Sequence, residues 1–353
     1  MSIQQMFLGA GGGGGIAVDE VFSVDLTNGT DSVQSVNNGI DLSGEGGMVW
    51  SKSRGSNSSH AIHDKTRGAN KFVSADSSST EVDVSAITAY HTLSAFNNNG
   101  FTLGADQGWG VINISNTDPK YVHWTFRKAP KFFDIVTWTG NSTGGLNNRN
   151  ISHNLDCDPG MIIVKNLNDS NTSNWMVWHH SVCTTMEEAL VLNEDDELIE
   201  QGDVRADMYW EKDSNHTPDM NSSTFSLGNS TKTNGTSSYN YVGYLFAKDE
   251  DNIKCGYYDS NSTSGHAINV GFEPQWLLVK AASAAGGWVV LDSERGLTNM
   301  LSADSNGAEA PVSSNNIVFT STGFTLNTAG WINGADGYGQ SVKYIYVAIK
   351  KED

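Results

Sequence analysis

A few residues have types and spacings that could support chemistry, and serine and histidine come first. Residues 140–144 read G-x-S-x-G, the pattern in which a serine becomes a nucleophile when a strand precedes it and a helix follows. Polar, turn-forming residues lie on both sides here, so we interpret the segment as a turn. Among the nine histidines, His60 with His63 and His179 with His180 form the close pairs, and neither pair has Cys or Glu at metal-ligand spacing. The sequence predicts no catalytic residues, no metal and no cofactor.

Carboxylates offer two further possibilities. The acidic clusters at residues 195–197 and 249–251 have oxygen ligands suited to Ca²⁺, yet neither has the spaced D-x-D-x-D-G pattern that arranges a calcium cage. We interpret both clusters as solvated charge. A carboxylate pair for glycoside hydrolysis is defined by separation in space, so the sequence does not decide that possibility.

Aromatic residues in polar loops are the stronger candidates for binding. Trp109 and Trp331 lie beside glycine and asparagine, at equivalent places in two of the repeated segments described below. Such a tryptophan is either an exposed plate on which a sugar ring stacks or a plug that closes the end of a β-sandwich; burial of about 150–250 Å² per Trp favours the plug. Tyr338 and the pair Tyr209 and Trp210 are further candidates of the same kind.

The elements that position these residues follow from composition. Of 353 residues, 38% are hydrophobic and 17% charged, and the remainder is rich in Gly, Ser, Thr and Asn, which favours turns and strands over helices. With 21 Lys and Arg against 40 Asp and Glu, the net charge is −19, which repels phosphate backbones and anionic lipid surfaces. We therefore expect no nucleic-acid partner and no membrane insertion.

Cysteines and the N-terminus bear on the compartment. Cys157, Cys183 and Cys255 are widely spaced and odd in number, which indicates neither a disulfide framework nor a zinc site. The N-terminus has neither the positive region nor the apolar core of a signal peptide, which predicts synthesis and assembly in the cytoplasm.

Three segments of the chain repeat one pattern. Residues 42–52, 155–165 and 270–280 align without a gap, each with an acidic turn, a short apolar run and a final lysine. Each repeat then closes on a strand that begins with tyrosine, at residues 121–128, 241–248 and 344–351. A period of about 110–115 residues is too long for a solenoid and fits a β-domain. We predict unit 1 at residues 21–131, unit 2 at 132–251 and unit 3 at 252–353, after a glycine-rich arm at 1–20.

The predicted fold class is all-β, with three tandem antiparallel sandwich or jelly-roll-like domains. Alternation in the closing strands predicts that one face is buried, whereas residues 161–164 are apolar on both faces and suit a central strand. Residues 184–213 are expected to form a helical turn or two. Asp64 with Arg67, and Asp292 with Arg295, are expected to fix a turn by an ion pair.

These repeated blocks, together with the opening M-F-L-G-A-G and the glycines after it, resemble repetitive β-proteins of marine tailed bacteriophages. Such proteins are described as tail-fibre-like or structural components of the virion. The resemblance covers most of the chain, is clearest in unit 3, and implies a structural or adhesive role without catalytic residues. Unit 2 departs from the pattern because it lacks the Asp-x-x-Arg-Gly element.

The resemblance and the composition together predict a virion protein assembled in the host cytoplasm. We expect a tail-fibre or appendage subunit, a homo-oligomer and in particular a trimer, with other virion proteins and a host surface polysaccharide as partners. The arm, including Phe7, Leu8, Gly11 and Gly13, is expected to attach it to the particle. The alternatives are a capsid or tail decoration or connector protein without a ligand, and a glycan depolymerase on a β-scaffold.

Overall fold

Short apolar runs separated by glycine, asparagine and serine turns form antiparallel strands throughout the described chain. The computed structural model describes residues 15–87, 92–105, 112–115, 118–141, 149–169, 173–204, 207–210, 218–313 and 316–352. The predicted all-β fold class is confirmed. Helix is confined in these residues to α1 (Thr231–Asn234) and to single 3₁₀ turns at Val18–Glu20 and Trp331–Asn333.

The strands of unit 1 are β1 (Phe22–Asn28), β2 (Gln34–Val36), β3 (Gly47–Ser53), β4 (Ala61–Asp64), β5 (Lys71–Phe72), β6 (Val82–Asp83), β7 (Leu93–Asn97), β8 (Gly100–Leu103) and β9 (Lys120–Arg127). Those of unit 2 are β10 (Phe133–Thr139), β11 (Arg149–Ser152), β12 (Pro159–Asn166), β13 (Met176–His179), β14 (Leu190–Val191), β15 (Thr224–Leu227) and β16 (Asn240–Ala247). Those of unit 3 are β17 (Asp249–Glu250), β18 (Ile253–Asp259), β19 (His266–Asn269), β20 (Pro274–Ala281), β21 (Trp288–Asp292), β22 (Asn299–Ser302), β23 (Ala310–Pro311), β24 (Ile317–Thr320), β25 (Gly323–Leu326) and β26 (Lys343–Lys350).

Each unit builds a main sheet with the same strand order. The order β1-β9-β3-β4 in unit 1 recurs as β10-β16-β12-β13 in unit 2 and as β18-β26-β20-β21 in unit 3. The closing strand lies in the interior of each main sheet, between the first strand of the unit and the strand that carries the repeated lysine. β17 precedes the predicted boundary at residue 251 but pairs with β18.

A smaller outer sheet covers one face of each main sheet. Its strands are β2-β8-β7 in unit 1, β11-β15 in unit 2 and β19-β25-β24 in unit 3. In unit 3 the two layers meet where the ring of Phe324 lies edge-on to Tyr258 and Tyr346, with centroids 5.9 and 5.7 Å apart. In unit 1 Phe101 packs against His123 in the same way, at 5.4 Å.

The opposite faces of the three main sheets pack together in one shared core. Phe126 of unit 1 lies at its centre: the ring centroids of Phe246 from unit 2 and Trp276 from unit 3 are 5.7 and 5.5 Å away. Trp124 also approaches Trp276, at 6.5 Å. Units 2 and 3 meet where the indole N–H of Trp288 donates to the carbonyl of Val191 at 2.8 Å. The three units therefore contact each other pairwise and form a ring around this core.

Two local predictions from the sequence are wrong. The closing strand β9 is buried on both faces and not on one, because its polar face, which carries His123 and Thr125, lies under the outer sheet. The segment expected to turn as a helix, residues 184–213, instead forms β14 and turns in its described part. There Ala189 pairs with Ile199 and Leu190 with Val177, so pairing with strands prevails over a weak helical pattern.

Candidate functional site

The chain enters and leaves every unit at the same end of the ring. The first strand and the closing strand of each unit are antiparallel neighbours, with Phe22 opposite Phe126 in unit 1. Phe133 lies opposite Phe246 in unit 2, and Ile253 opposite Ile349 in unit 3. We call this the junction end, formed by residues 15–21, 129–132, 248–253 and 350–352.

The segment before β1 is packed onto the junction end. Val18 is only 5% exposed and belongs to the shared core, and Ile16 packs against that core. The side-chain amide of Asn252 donates to the carbonyl of Ile16 at 2.5 Å. The packed core of the described residues therefore includes Ile16 and Val18, which precede the predicted start of unit 1 at residue 21.

A cavity of about 840 Å³ opens beside this segment. Its lining combines the segment, the turn between units 2 and 3 and the C-terminal residues, and it carries the carboxylates of Asp19, Glu250 and Glu352. Lys254 partly offsets them through a 3.2 Å ion pair with Asp249. The junction end is thus acidic and concave.

The opposite end of the ring carries the longer connections, and we call it the loop end. At this end the main strands finish on registered pairs: Asn28 with Lys120, Thr139 with Asn240, and Asp259 with Lys343. The link from β25 to β26, residues 327–342, lies here and is longer than the link 180–189 at the junction end. The shorter links from β3 to β4, from β12 to β13 and from β20 to β21 also join strand ends on this side.

Two of the aromatic candidates are unavailable for stacking. Tyr209 and Trp210 are both fully buried in the shared core, and the indole N–H of Trp210 donates to the carbonyl of Glu188. A sugar ring has no access to either side chain. These residues anchor the long insertion of unit 2, because large apolar side chains hold a loop by burying surface.

Trp331 and Tyr338 lie in the link from β25 to β26 at the loop end. Trp331 is half-buried against the core between the sheets of unit 3 and has a φ of 56°, which is rare for a bulky residue. The hydroxyl of Tyr344 donates to the Trp331 carbonyl at 3.1 Å. The side-chain amide of the buried Asn333 donates to the carbonyl of Thr328 in the same link and to Asn261 in the link from β18 to β19. Tyr338 is 91% exposed.

The remaining candidates lie outside the described residues. They are Trp109 and the arm residues Phe7, Leu8, Gly11 and Gly13.

Buried ionisable residues hold the contacts between units. Asp64 and Arg67 of unit 1 form the predicted ion pair at 2.5 Å, with both side chains almost fully buried. Tyr244 of unit 2 reaches across and donates its hydroxyl to Asp64 at 2.8 Å. Burial alone would lower the pKa of Arg67, but the carboxylate of Asp64 raises it overall, so the guanidinium stays charged. The ion pair therefore fixes a turn, as predicted, and also joins two units.

The contact between units 3 and 1 repeats this arrangement. Asp292 and Arg295 pair at 2.6 Å, and the indole N–H of Trp124 donates to Asp292 at 3.0 Å. Glu309 bonds Arg295 at 3.2 Å and also binds Arg54 of unit 1 through two hydrogen bonds of 3.0 and 2.8 Å. Charge-assisted, bidentate contacts of this kind define one relative orientation of the units.

Unit 2 replaces the same network with less polar residues. Strand register places His179 where the other units have Asp64 and Asp292, because Met161 pairs with it as Met48 pairs with Asp64. Three residues later Val182 stands in place of the arginine. His179 is fully buried, and burial lowers its pKa well below the usual range, so it is neutral. The replacement removes both charges together, which avoids leaving one of them buried alone.

Two of the three repeated lysines donate hydrogen bonds to a neighbouring unit, whereas the third, Lys52, donates to the carbonyl of Ser53 in its own unit at 2.7 Å. The ammonium of Lys165 donates to the carbonyl of Ser78 in unit 1 at 2.9 Å. That of Lys280 donates to the carbonyl of Asp196 in unit 2 at 2.6 Å. Burial lowers the pKa of Lys165 to about 7 and that of Lys280 to about 8. The sequence places a lysine at the end of each apolar run, but the hydrogen bonds of Lys165 and Lys280 to a neighbouring unit are visible only in the folded structure.

Equivalent positions on the neighbouring strand complete these contacts. The indole N–H of Trp175 donates to the carbonyl of Ser74 at 2.9 Å, and that of Trp288 to Val191 at 2.8 Å. In unit 1 the position is His60, whose Nδ1 accepts from the Trp50 indole at 2.8 Å. Its Nε2 must then carry the proton and donate to the carbonyl of Ser302, 3.0 Å away.

These buried groups serve contacts between units. Arg67 also lines a cavity of about 470 Å³ between units 1 and 2, together with Glu81 and Trp138. The described residues contain no group of three or more His, Cys, Asp or Glu suited to a metal ion. In the same part of the chain, no helix has the length and apolarity needed to cross a membrane. Cys183 and Cys255 are buried thiols whose pKa burial raises, which makes them unreactive.

The fold and its surfaces define an all-β protein in which three repeated two-sheet units form a ring, with chain junctions at one end and loops at the other. The chain belongs to the DUF7483 family, described as a domain of unknown function, which it matches over residues 19–352. No curated protein matches the chain.

Proposed function

We propose that this chain is a structural protein of a tailed bacteriophage particle, a tail-fibre or appendage subunit attached through its N-terminal end. The observation that carries the proposal is the polarity of the ring. The segment before β1 leaves at the junction end, and the longer loops occupy the opposite end. Attachment and display are then separated along one molecule, as an appendage requires.

The sequence resemblance to repetitive β-proteins of marine tailed phages supports the same role. The use of buried charge also supports it, because the ion pairs and lysines of the described residues hold units together. Burying charged groups is unfavourable unless they are paired, and here the pairs stabilise the arrangement of the units. This use of buried charge suits a structural protein. Host surface glycans are the ligands we propose for the loop end.

Particle composition tests the attachment. A chain lacking residues 1–14 keeps Ile16 and Val18, so it should fold with an unchanged thermal transition and yet be absent from purified phage particles. Quantitative immunoblotting of particles assembled with each version gives the readout. Incorporation equal to that of the full chain would contradict attachment through the arm.

A second experiment separates the appendage from the connector alternative. Immunogold labelling of intact particles should place the chain on a fibre or other projection, with the loop end outward. Labelling restricted to the capsid shell or the tail tube, with no adhesion to host cells, would instead support a connector without a ligand. Release of reducing sugar from host polysaccharide would support the depolymerase.

A further inference from the structure

The loop end of unit 3 differs in chemistry from the equivalent rims of units 1 and 2. Register places three residues at one position, two before the end of the first main strand: Leu26 in unit 1, Thr137 in unit 2 and Tyr257 in unit 3. Tyr257 is 51% exposed and alone is aromatic. The same framework therefore carries a half-exposed aromatic ring in one unit of the three.

Charged residues flank that ring on the same face of the sheet. Asp259 lies two residues further along β18, and Lys343 is its registered partner on β26. The ammonium of Lys343 bonds Asp259 at 3.1 Å and lies 3.8 Å from the centroid of the Tyr257 ring. The equivalent pair in unit 2 is uncharged, with a 2.9 Å contact between Thr139 and Asn240.

A pinned turn adds a second exposed ring to this rim. The carboxylate of Asp336 accepts from the backbone N–H groups of Tyr338 and Gln340 at 2.9 and 2.7 Å. The turn is tied to the residue after β18, because Ser260 accepts the backbone N–H of Val342 at 2.8 Å. Tyr338 is therefore presented on a fixed turn whose end is joined to the residue that follows β18.

We propose that this rim of unit 3, formed by Tyr257, Asp259, Tyr338 and Lys343, binds a neutral oligosaccharide. Aromatic rings stack on the apolar faces of sugar rings, while a carboxylate and an ammonium accept from and donate to the hydroxyls around them. The net charge of −19 disfavours a sulfated or uronic acid chain. The inference rests on the proposed adhesive role and names the ligand class and the residues for it.

A glycan array tests the proposal with the full chain. The probe is a printed set of neutral hexose and hexosamine oligosaccharides of three to eight units, together with sulfated and uronic acid counterparts. We expect binding to neutral members, weakened about tenfold by Tyr257→Ala and by Tyr338→Ala, since each removes one stacking ring. The matched control is Leu26→Ala, the same register position in unit 1, which should bind like the unmodified chain. Thermal melting of each variant checks folding, which exposed side chains should not disturb.

The outcomes separate this proposal from the proposed function. Binding to neutral glycans that all three variants retain would place the ligand elsewhere and overturn the assignment to this rim, while adhesion would stand. Equal losses in Leu26→Ala would also overturn it, as would a preference for the anionic glycans. If the chain binds no glycan but is found on particles and captures a purified host surface protein, the rim proposal is wrong and the appendage role survives.

Discussion

At the scale of single residues, the buried arginines make the sharpest energetic prediction. Arg295 is enclosed with Asp292, and its guanidinium also bonds Glu309. Replacing it by methionine, Arg295→Met, keeps the volume but leaves a carboxylate buried without its partner. We expect the free energy of unfolding to fall by about 3–5 kcal/mol, the usual cost of breaking a buried ion pair from one side. Unfolding in urea measures this change in free energy, because urea is uncharged and does not screen the ion pair.

The matched control is an ion pair on the surface. Lys351 bonds Glu273 at 2.8 Å, with both side chains about half exposed. Lys351→Met should therefore change stability by less than about 1 kcal/mol. If the two substitutions have equal effects, the buried network does not hold units 1 and 3 together.

Histidine burial makes stability depend on pH. His60, His63, His123 and His179 are fully buried, and burial lowers the pKa of His60 to about 4 and that of His123 to about 3. Below pH 6.5 the unfolded chain binds protons at these positions and the folded chain does not, so acid favours unfolding. The contribution of these histidines to stability should be fully present above pH 6.5 and should be lost progressively as the pH falls towards 4.

The contribution of one histidine can be isolated. In the variant His60→Gln, the glutamine side chain can still accept a hydrogen bond from Trp50 and donate one to Ser302, but it takes up no proton. The slope of unfolding free energy against pH between 6.5 and 4.5 should drop by up to about 1.4 kcal/mol per pH unit. An unchanged slope would mean that His60 is not the group protonated on unfolding.

At the scale of elements, one turn depends on a glycine. Gly100 begins β8, has a φ of 107°, and a methyl group there would collide with the carbonyl of Val36 on β2. Gly100→Ala should cost about 1–2 kcal/mol for the left-handed backbone and a further 1–3 kcal/mol for the collision. Gly39 has a φ of 85° with open space around it, so Gly39→Ala should show the first cost only. If the two variants have the same urea midpoint, the collision adds no cost, and β2 and β8 can move apart to accommodate the methyl group.

Strand identity was predictable because local patterns decide it. The continuous apolar run in β12 predicts an interior strand, and the structure places β12 between β16 and β13. The prediction for β9 was wrong because polar residues on its second face are buried. His123, for example, can be buried because its ring nitrogens form hydrogen bonds with Thr27 and Ser51 on other strands. Sequence periodicity reports polarity, and it does not report whether a polar residue finds a partner.

The candidate site was predicted only in part for a related reason. Tyr338 was recognised because glycines surround it, whereas Tyr257 lies in an ordinary strand pattern that carries no signal of its exposure. Tyr209 and Trp210 looked like loop aromatics, but the insertion that carries them folds back onto the core. Burial of a loop is a tertiary property with no short-range signal.

At the scale of the whole molecule, the shared core predicts cooperative unfolding. Phe126, Trp276 and Phe246 come from three different units and pack on one another. We expect a single calorimetric transition with equal calorimetric and van't Hoff enthalpies. A chain ending at Asp251 should fail to fold, because loss of unit 3 exposes Trp124 and Phe126. Separate transitions, or a folded fragment, would instead favour three independent domains.

The ring also bears on assembly. The contacts between units run head to tail and close on themselves within one chain, which is the arrangement of a heterologous ring. Threefold organisation therefore does not require three chains. The homo-oligomer stays a prediction, and light scattering coupled to size exclusion measures it: a mass near 38.0 kDa would contradict it.

The tryptophans at the shared core give the ring its own optical signature. The indole of Trp124 lies 5.6 Å from that of Trp50 in the same unit and 6.5 Å from that of Trp276 in unit 3. Transitions of indoles this close couple to each other and produce a paired band in ultraviolet circular dichroism. Part of that band exists only while units 1 and 3 are docked, so its loss during stopped-flow mixing would report the opening of the ring without any attached dye.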